Sequence, residues 1–170
     1  MKYIESKENI EKIQQQLINL NFNNHQDLLE KYLFRNQYGK NKYNLKSYSG
    51  QGQDNIVYDL LEKKENGIFL DIGANHFKNS NNTYGLETQL NWTGTLVEIN
   101  ESYKSLYKDN RKAFVYPCGF KNVNGTTNIN DIIATTNSTE IDYLSLDIDG
   151  DEEILITSID FNKYSFTILD

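Results

Sequence analysis

The chain is 170 residues long, carries a formal net charge of −7 and has one cysteine, Cys118. That length is enough to bury the core of one domain. The acidic balance excludes an extended nucleic-acid contact, which needs a basic footprint, and a single cysteine excludes an internal disulfide framework and fits a reducing compartment.

No apolar run approaches the roughly 18 residues a spanning helix needs. Residues 1–6 lack the apolar core of a signal peptide. A soluble, cytoplasmic protein with no membrane partner is therefore expected. Between residues 8 and 20, Ile10, Ile13, Leu17 and Leu20 recur at helical spacing. Leu28, Leu29, Tyr32 and Leu33 mark a second helix over 26–38, and the polar, Tyr-rich stretch 40–52 reads as a connecting loop. Residues 1–48 thus read as a helical N-terminal extension. Ile56, Val57, Leu60 and Leu61 predict a helix over 54–64 with Asp54 as its N-cap.

From there the pattern alternates. Strands are expected at 68–74, 94–99, 113–118, 143–148 and 166–169, and helices at 83–90, 101–110 and 151–159. Residues 122–139 form a polar insertion whose apolar patch, 129–133, suggests a short helix. Alternation at this spacing predicts an α/β domain over 49–170, a Rossmann-like three-layer sandwich around a mainly parallel sheet of five strands. In such a sheet a ligand sits outside the C-terminal ends of the strands.

Chemistry-bearing residues fall at those ends. The run Ile68-Phe69-Leu70-Asp71-Ile72-Gly73-Ala74-Asn75 reads as a buried strand that ends in an acid and a glycine turn. Glu98 closes the next strand, at about the offset where nucleotide-binding folds place a ribose-binding carboxylate. Two acids at two strand ends suggest a nucleoside-containing cofactor. Asp147, Asp149 and Gly150 end a later strand, followed by Asp151, Glu152 and Glu153. The glycine comes too early for an EF-hand calcium loop. The cluster reads as active-site acids, or as acids favouring the positive end of the next helix. A Gly-x-Gly-x-x-Gly fingerprint is absent, which argues against NAD or FAD and leaves a reductase as a weak third reading. Asn82 or Thr83 is expected to cap the following helix. Trp92 is expected to pack under its strand, and Cys118 to be a small buried residue.

In order along the chain come Gln53-Asp54, the segment from Asp71 through Asn75 to His76, Asn82-Thr83-Tyr84, Trp92-Thr93-Gly94, Val97-Glu98 and the acidic strand end at Asp147–Gly150. This ordered set resembles the FkbM-type methyltransferases, which use S-adenosylmethionine and have the class I methyltransferase fold. The resemblance covers residues 49–170. It implies that Asp71, Gly73 and Asn75 receive the methionine portion, that Glu98 takes the ribose hydroxyls, and that Cys118 and Gly119 lie near the adenine. Gln53 and Asp54 would close the cofactor pocket, and Asp147 and Asp149 would face the reacting methyl. No metal is implied. A hydroxyl acceptor, on a small molecule or glycan, needs a general base, and Asp147, Asp149 or His76 could serve; His76 reads equally well as a loop histidine that bonds the backbone.

Family members usually build two more strands beyond the fifth, so the fifth is expected here as an open apolar edge. That edge suggests a homo-oligomer. It also suggests an alternative, a non-catalytic truncated domain of the same fold that acts through a protein partner.

Overall fold

The structure is a computed structural model that describes residues 45–119, 128–150 and 152–170. These all belong to one unit, Tyr43–Asp170. The helices expected at 8–20 and 26–38 lie outside the described residues.

The described elements run α1 (Gln53–Leu60), β1 (Ile68–Ile72), α2 (Tyr84–Leu90), β2 (Thr93–Val97), α3 (Glu101–Asn110), β3 (Phe114–Val115), α4 (Ile129–Ala134), β4 (Glu140–Leu146), α5 (Glu152–Thr157) and β5 (Ser165–Leu169). The strands form one parallel sheet in the order β3-β2-β1-β4-β5. β1 lies at its centre, and register sets Asp71 level with Leu96 on β2 and Ser145 on β4. A strand covered on both faces must be apolar almost throughout. Phe69, Leu70 and Ile72 are fully buried.

Two cores define three layers. On one face Phe69, Leu96 and Tyr143 pack with Val57 of α1, Leu86 of α2 and Tyr107 of α3. On the other, Leu70, Ile72, Val97 and Leu144 pack with Ile129, Ile132 and Ile133 of α4 and Leu155 of α5. Right-handed crossovers give this division when the strand order reverses direction beside the first strand. The reversal lies between β1 and β4, the place where such folds bind ligands.

Several boundaries differ from the sequence expectation, each for a local reason. β3 holds two residues rather than six; Pro117 has no N–H for a ladder, and Phe114 is half exposed at the sheet edge. α1 stops at Leu60 because Glu62 and Lys63 adopt positive φ. Its N-cap is Gly52, not Asp54. The Asp54 carboxylate instead accepts from Ser47 Oγ at 2.6 Å, Tyr48 N at 2.7 Å and Ser49 Oγ at 2.8 Å, folding the preceding loop over itself. Neither Asn82 nor Thr83 caps α2 with its side chain. Asn81 Oδ1 does so, accepting from the backbone N–H of Tyr84 at 2.7 Å and of Thr83 at 3.1 Å. Trp92 is buried as expected, its indole N–H donating to Lys64 O.

Residues 45–48 belong with the α/β layer rather than with an extension. Leu45 is buried in the same core as Val57 and Leu86, and Tyr48 O accepts from Asn81 N at 3.1 Å. No helix among the described residues is long and apolar enough to cross a membrane. Leu45→Ala should lower the unfolding free energy by about 2–4 kcal/mol, the range for emptying a buried leucine site. Urea denaturation of the full chain measures it; no change would remove residues 45–48 from the domain.

Candidate active site at the strand ends

The site begins where β1 ends. Gly73 has φ +85°, and its N–H and that of Ala74 both donate to Val97 O, at 2.9 and 3.1 Å. A Cβ on Gly73 would lie 1.8 Å from Asp147 O. Only glycine lets the turn wedge between the ends of β2 and β4. Asn75, also at positive φ, ends the turn; its carbonyl accepts from the Tyr107 hydroxyl. Burial, first of all, holds the Tyr107 phenol well above the usual tyrosine range, so it stays a protonated donor.

Glu98 closes this turn from the side of β2. It is 7% exposed. Its Oε2 accepts from Asn75 N and its Oε1 from Asn100 N, each at 2.7 Å. A carboxylate offers about four lone-pair sites, so each oxygen retains one for a further donor. Beside Glu98, Ile99 is 51% exposed, an apolar side chain facing solvent at the sheet's C-terminal end. Gly119 abuts it; a Cβ there would lie 2.6 Å from Ile99 Cα. Lys104 Nζ holds the same loop by donating to Pro117 O at 2.5 Å. Cys118 is therefore beside the Glu98 turn, and it is exposed rather than buried, because Pro117 ends the strand before it.

On the β4 side, Asp147 N donates to Ile72 O at 2.9 Å, and the Asp147 and Asp149 side chains are exposed. Their loop is shaped by Glu152. Its carboxylate accepts from Ile148 N at 3.2 Å and Gly150 N at 3.0 Å. Its own backbone N–H and that of Gly150 hold it below the usual carboxylate range. Among the described residues no three His, Cys, Asp or Glu side chains are placed to hold a metal ion.

Asp71 lies below this rim, 2% exposed. Thr83 Oγ1 donates to its Oδ2 at 2.7 Å. Thr83 Oγ1 in turn accepts from Arg111 Nη2 at 2.9 Å, while Arg111 Nε donates to Glu87 Oε2 at 2.9 Å. Arg111 also reaches Asn81 Oδ1 at 3.1 Å, and Asn81 Nδ2 donates to Ala74 O at 2.7 Å. One buried cation thus serves two buried carboxylates, with Glu87 taking it directly. Desolvation pushes the Asp71 carboxyl up to about 6 despite the bonds from Thr83 and Ser145.

The two uncertain histidine roles separate here. His76 Nδ1 accepts from Lys78 N and Asn79 N, both at 3.1 Å, the backbone-bonding arrangement. Only Nε2 is left for proton transfer. Gln53 Oε1 accepts from Gln51 N; Asp54 lies beside Gly85 of α2 and is linked to the β1 turn through Tyr48 and Asn81.

The structure therefore gathers Gly73, Asn75, Glu98, Cys118, Gly119, Asp147 and Asp149 at one end of the sheet. Asp71 sits beneath them, and Gln53 and Asp54 to one side. Arg111, Asn81 and Tyr107 escaped the sequence reading, whereas Glu152 was read as an acid at the start of the next helix, where the structure places it. Comparison with protein-family models, curated proteins and solved structures finds no match for this chain.

Asp71→Asn keeps an acceptor for Thr83 and removes the buried charge. Because the folded carboxyl titrates near 6 and the unfolded one near 3.8, ionised Asp71 opposes folding fully above pH 6 and not at all below the unfolded value. The variant should therefore be more stable than wild type by on the order of 3 kcal/mol at pH 8, a gain that vanishes by about pH 4. Denaturant melts of both proteins across that window measure it; an equal gain at every pH would refute the assignment. Arg111→Met strands Glu87 and should cost about 3–5 kcal/mol at pH 7 in the same assay.

Proposed function

We propose that this domain is an S-adenosylmethionine-dependent methyltransferase that methylates a hydroxyl oxygen on a small molecule or sugar. The observation that carries the reading is Glu98, a nearly buried carboxylate at the end of β2. It clasps the β1 turn through Asn75 N and keeps one lone pair on each oxygen. That is the chemistry a ribose diol needs: two hydroxyl donors meeting one preoriented carboxylate.

The surrounding residues fit a nucleoside. Ile99 offers an exposed apolar face beside Glu98 for a base to cover, and the Cys118–Gly119 loop flanks it. The Gly73–Asn75 turn, fixed from β2, β4 and Tyr107, would support the amino-acid portion. Asp71, buried and bonded to Thr83, supports that turn from below rather than from the opening. Bound there, the cofactor would supply an electrophilic methyl on a sulfonium. The chain's part is to hold the acceptor oxygen in line, where positioning supplies much of the acceleration. Asp147 or Asp149, exposed past β4, would take the acceptor's proton.

A second reading has one observation in its favour. Among the described residues β5 pairs with β4 alone, leaving a parallel edge that a protein partner or a second copy could extend. On that reading the fold acts by binding and turnover is absent.

Calorimetric titration with S-adenosylmethionine and its demethylated product separates the two. Both should bind the folded chain, NAD should displace neither, and Glu98→Ala should weaken both by about tenfold to a hundredfold, the value of one or two charge-assisted hydrogen bonds. No binding by folded protein, or equal binding by Glu98→Ala, refutes the methyltransferase reading.

A further inference from the structure

His76 bonds the backbone in a way that only a neutral imidazole allows. Its Nδ1 accepts from Lys78 N and Asn79 N, both at 3.1 Å. A neutral ring has one donor and one acceptor nitrogen, so accepting at Nδ1 places the ring proton on Nε2. A second proton has one place to go, Nδ1 itself. The charged ring donates from both nitrogens. It therefore gives up both bonds and turns a further N–H toward the two it held.

The residue type makes the arrangement conditional. Accepting from backbone N–H groups a few residues on is the ordinary work of an asparagine or aspartate side chain. Asparagine Oδ1 hangs on Cγ as histidine Nδ1 does, and it accepts at any pH. Histidine changes charge between about pH 5 and 8. The same turn closed by histidine holds on one side of that range only.

The loop so held is one its backbone does not favour. Asn75 and Ser80, at φ +55° and +53°, bracket it in the left-handed region, which side-chain-bearing residues keep only where their surroundings impose it. The ends of the loop are tied elsewhere: Phe77 O accepts from Arg111 Nη1 at 3.3 Å, and Asn81 N donates to Tyr48 O at 3.1 Å. Lys78 and Asn79, between those ties, are bonded through Nδ1. At its start the loop is continuous with the turn of the candidate site. His76 N donates to Asn75 Oδ1 at 2.7 Å, and Asn75 N is clasped by Glu98.

The imidazole packs on Phe77, ring centres 4.5 Å apart, and meets Tyr103 of α3 edge to face at 6.0 Å. Among the described residues, the charged groups joined to this neighbourhood are Glu98 through Asn75, Arg111 through Phe77, Lys78 in the loop and Asp71 beneath the turn. The Tyr107 hydroxyl reaches it through Asn75 O. These groups set the pH at which the ring charges. They do not alter what charging does to the two bonds.

We infer that His76 is a pH-operated latch on the loop 77–80: the neutral ring closes the loop through Nδ1, and protonation there opens it. A ligand of the Gly73–Asn75 turn then meets an ordered neighbouring chain at neutral pH and a mobile one in acid. The latch holds for any such ligand and does not rest on the methyltransferase reading.

The test is nitrogen relaxation and long-range proton–nitrogen correlation on the full chain, as wild type, His76→Asn and His76→Phe, at about pH 8 and about pH 5.5. The correlation spectrum should show His76 protonated on Nε2 alone at the higher pH; loss of that signal in His76→Asn tells it from His25. The wild-type Lys78 and Asn79 amides should have order parameters of about 0.85 there, and below about 0.6 once the ring is charged, the rigid and flexible limits. His76→Asn should stay ordered at both pH values. His76→Phe, which keeps an aromatic ring but no acceptor, should be mobile at both. Asp71, its carboxyl raised to about 6, titrates in the same window. The asparagine variant retains Asp71, so a change it shares with wild type belongs to that residue.

A ring protonated on Nδ1 at the higher pH, a ring still neutral at the lower, or a charged ring with both amides still ordered overturns the inference. So does loss of order shared by His76→Asn, or a His76→Phe loop as ordered as wild type at the higher pH. Should His76→Phe not fold, the asparagine comparison decides alone.

Discussion

A single buried guanidinium organises the half of the domain that carries the candidate site. Arg111 follows directly on the end of α3, and from there it bonds Glu87 in α2, Thr83 at the start of α2, Asn81 before it and Phe77 O. Its side chain is fully buried, as is that of Glu87. Charges this deep stay only if every donor finds an acceptor, since an unmet one forfeits several kcal/mol. The arginine therefore dictates where the chain between β1 and α2 can run. That segment carries the exit of the β1 turn, the His76 and Lys78 loop and the Asn81 cap.

The same cation leaves a deficit. Two buried carboxylates, Asp71 and Glu87, share it, and Glu98 lies close enough to Asp71 to add to the surplus. Burial is what raises the Asp71 carboxyl, and Arg111, paired directly with Glu87, offsets that rise only in part. A core built for stability alone would place asparagine at 71. Keeping an ionisable group under a turn, at the switch between β1 and β4, is the kind of local inconsistency that folds retain where a site needs it. A cationic ligand group above the turn would draw Asp71 toward its ionised form, linking occupancy of the site to the proton on this residue.

The architecture was legible to the extent that it is written in local pattern. The alternation of five strands with helices follows from apolar runs and helical spacings, and Asp71, Glu98, Asp147 and Asp149 fall at the strand ends where the runs place them; the strand order β3-β2-β1-β4-β5 is set by the crossovers, not by local pattern. What escaped depends on contacts between residues distant in sequence or on competition among neighbours. Asn81, Asn82 and Thr83 all suit a helix start. Only the bonds from Arg111 to Asn81, and from Thr83 to Asp71, decide that Asn81 caps α2 while Thr83 turns inward. Asp54 looked like a cap because it precedes an amphipathic run, but its carboxylate turns back to the loop donors of Ser47, Tyr48 and Ser49 and takes only the neighbouring Asn55 N–H, at 2.9 Å, from the helix. Cys118 looked buried because it ends an apolar stretch, yet Pro117 breaks the ladder first.

The turn from Gly73 to Asn75 divides the sheet's C-terminal end into two halves with different surface chemistry. Toward β2 and β3 lie Glu98, exposed Ile99 and the tightly seated Gly119: one carboxylate, one apolar face and backbone. Toward α2 and the loop over it lie Lys46, Lys78 and the rings of Tyr48 and Tyr84, with Asp147 and Asp149 at the end of β4. On the proposed reading the cofactor's diol and base would take the first half, where Glu98 and Ile99 lie, and the acceptor would approach from the second. His76 then matters through the backbone it holds: its Nδ1 fixes the turn that carries Lys78, a role that does not depend on moving a proton.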